Sequence, residues 1–153
     1  MTVAERLQQF GIRLPEAAQP AFNYVPVVLH RGVAYVAGQM PKVDGEVRVF
    51  GKVGADIGLA EAQGEARVCI LQGLSCLQEA LGSLDRVERV LRINGYVASA
   101  PGFNDQPRVL DAASELLVQV FDEAGRHARS AIGVAELPRN AVVEIDLTVA
   151  YRE

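Results

Sequence analysis

Apolar residues change their spacing several times along this chain, and each change marks an expected element. Val3, Leu7 and Phe10 recur at helical spacing behind Thr2, a good N-cap, so residues 2–10 read as a short amphipathic helix ended by Gly11 and Pro15. Alternation takes over in Val25–His30 and Val33–Ala37, two strands joined by a tight turn at Arg31-Gly32. Pro26 has no backbone donor and favours an edge position. A loop turning at Asp44-Gly45 leads to a short strand within Glu46–Phe50. From Leu59 to Leu81 the period becomes helical, with Ala66, Ile70, Leu74, Leu77 and Leu81 as the buried stripe and Gly82 as the C-cap. Arg86–Ala98 alternates again. The pattern there puts Leu91, Ile93 and Val97 on one face, and Val90, Arg92, Asn94 and Tyr96 on the other. A second long helix follows from Pro107 to Phe121, carried by Leu110, Ala113, Leu117, Val120 and Phe121.

Two strands close the pattern. In the first, Ser130, Ile132 and Val134 share the expected core face, leaving Arg129, Ala131 and Gly133 opposite. In the second, Val143, Ile145, Leu147 and Val149 are the core face, leaving Glu144 and Asp146 opposite. With Glu136–Asn140 as a turn the two are expected to pair as a hairpin, which sets Arg129 and Glu144 on one non-core face. A guanidinium fork suits a carboxylate, and a nearby glutamate can move a proton, so the pair suggests a site for a small organic acid. A plain cross-strand salt bridge is the other reading. The order β-β-(β)-α-β-α-β-β implies an α+β fold: a single mixed β-sheet with two long helices packed on one face. The other face is half apolar, which points to self-association.

At 153 residues the chain fits one domain, 1–153, and half of its residues are hydrophobic. Its net charge of −4 gives no encouragement to binding nucleic acid or anionic membranes. Cys69 and Cys76 lie roughly 10 Å apart along a helix, beyond disulfide reach, and read as small core residues. Two cysteines and two histidines without ligand spacing give no metal motif. No apolar run has the length of a membrane span and the first residues lack a signal-peptide core, so a cytoplasmic location is expected. His127 shares alternation with Arg129 and reads either as a pocket group or as a solvent-facing loop residue, the latter favoured. Phe103 fits equally a lid over the pocket and a loop anchor.

Several runs together resemble one family. They are Tyr24 before the first strand, Tyr35-Val36-Ala37-Gly38-Gln39-Met40-Pro41, and Gly82-Ser83-Leu84-Asp85-Arg86-Val87. The most specific are Ala128-Arg129-Ser130, Val134-Ala135-Glu136-Leu137-Pro138-Arg139 and Val143-Glu144-Ile145. In this order and spacing they resemble the Rid family of reactive intermediate deaminases, also called YjgF-like or L-PSP-like. The resemblance implies a chorismate-mutase-like fold of the bacterial trimeric type, a homotrimer whose sheets close a central barrel, with a cleft at each subunit interface. It implies hydrolysis of enamine or imine intermediates (2-imino acids) to 2-keto acids and ammonia, with no metal or organic cofactor. The residue matching the family's carboxylate-gripping arginine is Arg129, and the one matching its water-positioning glutamate is Glu144. Tyr24 and the backbone at Gly38 match pocket positions.

The chain also departs from the family pattern. Ala131 stands where many members carry cysteine, Ala37 where serine is frequent, and Asp111 where asparagine is usual. Asp111 therefore matches a substrate-binding position, where an added carboxylate would weaken the hold on an anion unless it points elsewhere. Val25-Pro26 after Tyr24, the N-terminal helix and the loop Pro101–Gln106 mark a divergent branch. Two further readings stand beside the deaminase: a non-catalytic trimer that binds a small carboxylate, and an endoribonuclease or translation inhibitor. The acidic balance disfavours the last.

Overall fold

The computed structural model describes residues 1–153. Helix α1 (Val3–Gln9) starts from a capping box. Thr2 Oγ1 accepts the Glu5 backbone N–H, and the Glu5 carboxylate accepts that of Thr2. Strands β1 (Val27–His30) and β2 (Val33–Gln39) form the expected hairpin. Arg31 and Gly32 turn it at φ of 48° and 76°, the left-handed geometry of a two-residue hairpin loop. A second small hairpin, β3 (Lys42–Val43) and β4 (Glu46–Val47), turns at Asp44-Gly45 where a single short strand was expected.

Helix α2 (Leu59–Leu81) ends as its sequence dictates, with Gly82 at φ 81° donating its N–H to the Gln78 carbonyl. Strand β5 (Val87–Ala98), helix α3 (Gln106–Phe121), strand β6 (Ala128–Val134) and strand β7 (Val143–Tyr151) complete the elements. Five strands make one mixed sheet in the order β1-β2-β7-β5-β6, with β5 and β6 parallel and the other pairs antiparallel. Val90, Ile93, Ile145, Leu147 and Val149 meet Ile70, Leu74, Leu77, Leu110 and Leu117 in the core beneath α2 and α3. This is the α+β arrangement that the alternating and helical periods imply. Cys69 and Cys76 are free and buried, and burial raises both thiol pKa values. No helix is long and apolar enough to cross a membrane.

Three sequence expectations are overturned by the sheet. First, β6 and β7 are not a hairpin, because β5 lies between them. The segment after β6 turns through residues 138–140, with Arg139 and Asn140 at positive φ, and delivers β7 to the middle of the sheet. Second, β5 carries an extra residue between Val90 and Arg92 relative to β7, and a β-bulge of this kind reverses parity. Val90 is consequently a core residue, whereas Leu91 is 39% exposed. Third, the faces of β6 are the reverse of those expected. In a parallel pair, residues in register share a face, and Arg129 is in register with buried Ile93. Arg129 and Ala131 thus face the helices, while Ser130 and Ile132 join Asn94 and Tyr96 on the open face.

Candidate functional site

Glu144 stands on the open face of β7, between core residues Val143 and Ile145, with Tyr96 opposite it on β5. Strand β2 takes three steps from Val36 to Gln39 while β7 takes two from Leu147 to Ile145, so β2 bulges next to this glutamate. Gly38 lies in that bulge. A Cβ at Gly38 would sit 2.8 Å from the Glu144 Oε2, so the carboxylate occupies space that only glycine leaves open. Burial, and then the neighbouring Asp146 carboxylate, raises the Glu144 pKa.

A hydrogen-bonded chain runs across the same face. Asp146 accepts from Asn94 Nδ2 at 2.8 Å and from the Tyr96 hydroxyl at 3.3 Å. Arg92 Nε donates to Asn94 Oδ1 at 3.1 Å, and Arg92 Nη2 to Ser130 Oγ at 2.6 Å. Burial and the Asp146 carboxylate raise the Tyr96 pKa, so its hydroxyl remains a donor at neutral pH. The oxygens of Asp146 are engaged in this chain, whereas no hydrogen-bond donor is seated on the Glu144 carboxylate. Next to it, Tyr24, Pro26, Gly38, Gln39, Met40 and Lys42 line a small hollow. Tyr24 is 52% exposed there. Burial and the Arg139 cation lower the Lys42 pKa, as expected of an ammonium held near protein rather than free in water.

Arg129 belongs to a second cluster, on the helix side of the sheet. Its Nη2 lies 2.8 Å from Asp111 Oδ1 and donates to the Pro107 carbonyl at 3.0 Å, while Nη1 donates to Ser114 Oγ at 3.0 Å. His127, in the short loop before β6, is half-buried and completes this cluster rather than facing solvent. Its Nδ1 is 2.6 Å from the Gly125 carbonyl oxygen and its Nε2 is 2.9 Å from Ser114 Oγ. A carbonyl can only accept, so Nδ1 carries the proton and Nε2 takes the Ser114 hydroxyl proton. Burial lowers the His127 pKa, with the Arg129 cation adding to it against the Gly125 hydrogen bond, which keeps the ring neutral. Phe103 anchors its loop. It packs against the backbone of Gly54, where an added Cβ would meet it at 2.9 Å.

Of the five residues singled out by sequence, the structure therefore brings Glu144, Gly38 and Tyr24 together around the β2 bulge, and Arg129 with Asp111 at the start of α3. The two groups occupy opposite faces of the sheet within one chain. Asp146, Tyr96, Asn94, Lys42 and Ser114 were missed. Alternation from Glu144 pointed at Asp146, and helical spacing from Asp111 pointed at Ser114, but neither carried a motif of its own. No group of three or more His, Cys, Asp or Glu side chains is arranged to hold a metal ion.

Known proteins resemble this chain along nearly its whole length. The chain is 49% identical over 148 residues to the protein TCP17 of Trypanosoma cruzi, covering 96% of this chain and 92% of that protein. It is 31% identical over 138 residues to a 2-iminobutanoate/2-iminopropanoate deaminase of Dermatophagoides farinae, covering 90% of this chain and 93% of the relative. The crystal structure of the Agrobacterium tumefaciens protein Atu1372, of unknown function, superposes with a TM-score of 0.91 at 43% identity, over 98% of this chain and 92% of that one. The family model described as "YjgF/chorismate_mutase-like, putative endoribonuclease" matches residues 4–150, and the chain accordingly belongs to the YjgF-like, or Rid, family.

Proposed function

We propose that this protein hydrolyses reactive imine or enamine intermediates, 2-imino acids in particular, to 2-keto acids and ammonia. The observation that carries the reading is the half-buried Glu144, its pKa raised, seated over Gly38 beside the Tyr24 hollow. A carboxylate made more basic by its surroundings is suited to taking a proton from water near neutral pH. The deaminase relative supports the chemistry at the level of the family.

In this mechanism the protonated imine is already electrophilic. Glu144 removes a proton from water as the oxygen adds to the imine carbon, giving a tetrahedral carbinolamine. It then returns that proton to nitrogen, the C–N bond breaks and ammonia leaves, while the hydroxyl proton passes to the Glu144 carboxylate and on to solvent as the carbonyl forms. No redox step or cofactor is required. Arg129 holds the substrate carboxylate by charge-assisted hydrogen bonds. Because Arg129 and Glu144 face opposite sides of one sheet, a substrate that touches both needs Arg129 from one protomer and Glu144 from a neighbour. A homotrimer with a central barrel lined by the open faces, and a cleft at each interface, meets this requirement. Exposed Val28, Tyr35 and Ile132 on that face favour such a partner.

The test generates 2-imino acids in situ with an amino-acid oxidase, with semicarbazide competing for them. Wild type should suppress semicarbazone formation, and Arg129→Ala should lose most of that effect, the truncation costing on the order of 2–5 kcal/mol in binding. Absence of suppression for every side chain tried would sink the deaminase reading. It would leave the non-catalytic carboxylate binder, for which the Arg129 cluster would still serve. An RNA substrate cleaved equally by wild type and Arg129→Ala would point to a different site.

A further inference from the structure

The Arg129 guanidinium is already occupied. Of its two terminal nitrogens, Nη2 donates to the Pro107 carbonyl at 3.0 Å and is in ion-pair contact with Asp111 Oδ1 at 2.8 Å. Both two-point edges of a guanidinium, Nε/Nη2 and Nη1/Nη2, include this nitrogen, so a carboxylate that binds in the paired fashion meets the Asp111 carboxylate already seated against it. Pro107 is backbone of α3 and stays. Ser114 stays as well, since its own proton is committed to His127 and its oxygen is left as an acceptor for Nη1 at 3.0 Å. Asp111 is the movable partner, with its side chain 55% exposed against 24% for Arg129. The pair is also electrically neutral, which removes the attraction that a lone arginine exerts on an anion.

On the basis of the imine-hydrolase reading, we propose that Asp111 is a specificity-determining residue that competes from within the chain for the substrate-carboxylate edge of Arg129. Small monocarboxylates bind weakly to the wild type because each must displace Asp111. Substrates that present a neutral hydrogen-bonding group at that end lose little.

Isothermal titration with 2-oxobutanoate, the product-like carboxylate, and with its neutral amide provides the test on wild type, Asp111→Asn and Asp111→Ala. Both variants should bind the carboxylate about tenfold or more tighter than wild type, a gain of about 1.4 kcal/mol, while amide binding changes little. Imine turnover should show the same gain in KM with kcat nearly unchanged. Equal carboxylate affinity in wild type and both variants would overturn the proposal, as would a parallel gain for the amide. Tighter carboxylate binding without imine turnover in any form would uphold the role of Asp111 and defeat the deaminase reading. Turnover with an unchanged KM would do the reverse.

Discussion

The chemistry of this chain turns on where single carboxylates sit. Glu144 keeps its charge at a cost, because burial and Asp146 both favour the neutral form. A carboxylate whose folded pKa lies above its unfolded value holds its proton more tightly in the native state, so its contribution to stability falls as pH rises through that window. Glu144→Gln should therefore raise the melting temperature at pH 7. Below the ordinary glutamate pKa of about 4.3, where both states of the wild type are protonated, that gain should vanish. Differential scanning fluorimetry across pH would check it, and a variant that melts lower at pH 7 would refute this picture of the site. Much of this was visible in residue identity. Arg129, Glu144, Gly38 and Tyr24 stand out in their runs, and Asp111 stands out as a departure from the family pattern. The side of the sheet taken by Arg129 was not visible. On an edge strand the helix-facing side is incompletely covered, so an arginine can occupy it and Ile132 can lie on the open face at 49% exposure.

At the scale of elements, the lengths and ends of α2 and α3 follow from their apolar periods, with Gly82 and the proline near the start of α3 as punctuation. Strand pairing was less legible, since a turn signal at residues 136–140 says that the chain reverses without saying beside which strand it resumes. Bulges were invisible for a different reason. One extra residue leaves the composition of β5 unchanged while reversing the parity between Val90 and Arg92. Gly95, further along β5, is a position where packing leaves no room, because a Cβ there would overlap the Leu110 side chain of α3. Gly95→Ala should therefore destabilise the fold by about 1–3 kcal/mol through overpacking. Urea unfolding would measure the change, and an unaltered midpoint would mean that α3 can shift without cost.

For the whole molecule, the separation of Glu144 from Arg129 by a sheet makes assembly a chemical question. Ile132, exposed on the open face of the edge strand, is a natural contact for a second copy. If the proposed trimer forms through this face, Ile132→Glu should shift it toward monomer and abolish the proposed imine hydrolysis while leaving the far-ultraviolet circular dichroism of the fold intact. Light scattering beside the semicarbazide assay would reveal both effects. A variant that remains trimeric and active would remove this face from the interface.

The central position of β7 has a consequence for the order of events in folding. Of the five strands in the sheet it is the last to be synthesised, yet it separates β1-β2 from β5-β6 and pairs with both β2 and β5. Until it arrives, the two halves can form only as a hairpin and a parallel pair, each with an unsatisfied edge facing the other. The sheet is continuous, and the core beneath it complete, only once β7 has paired with both edges, so closure of the core belongs to the end of synthesis.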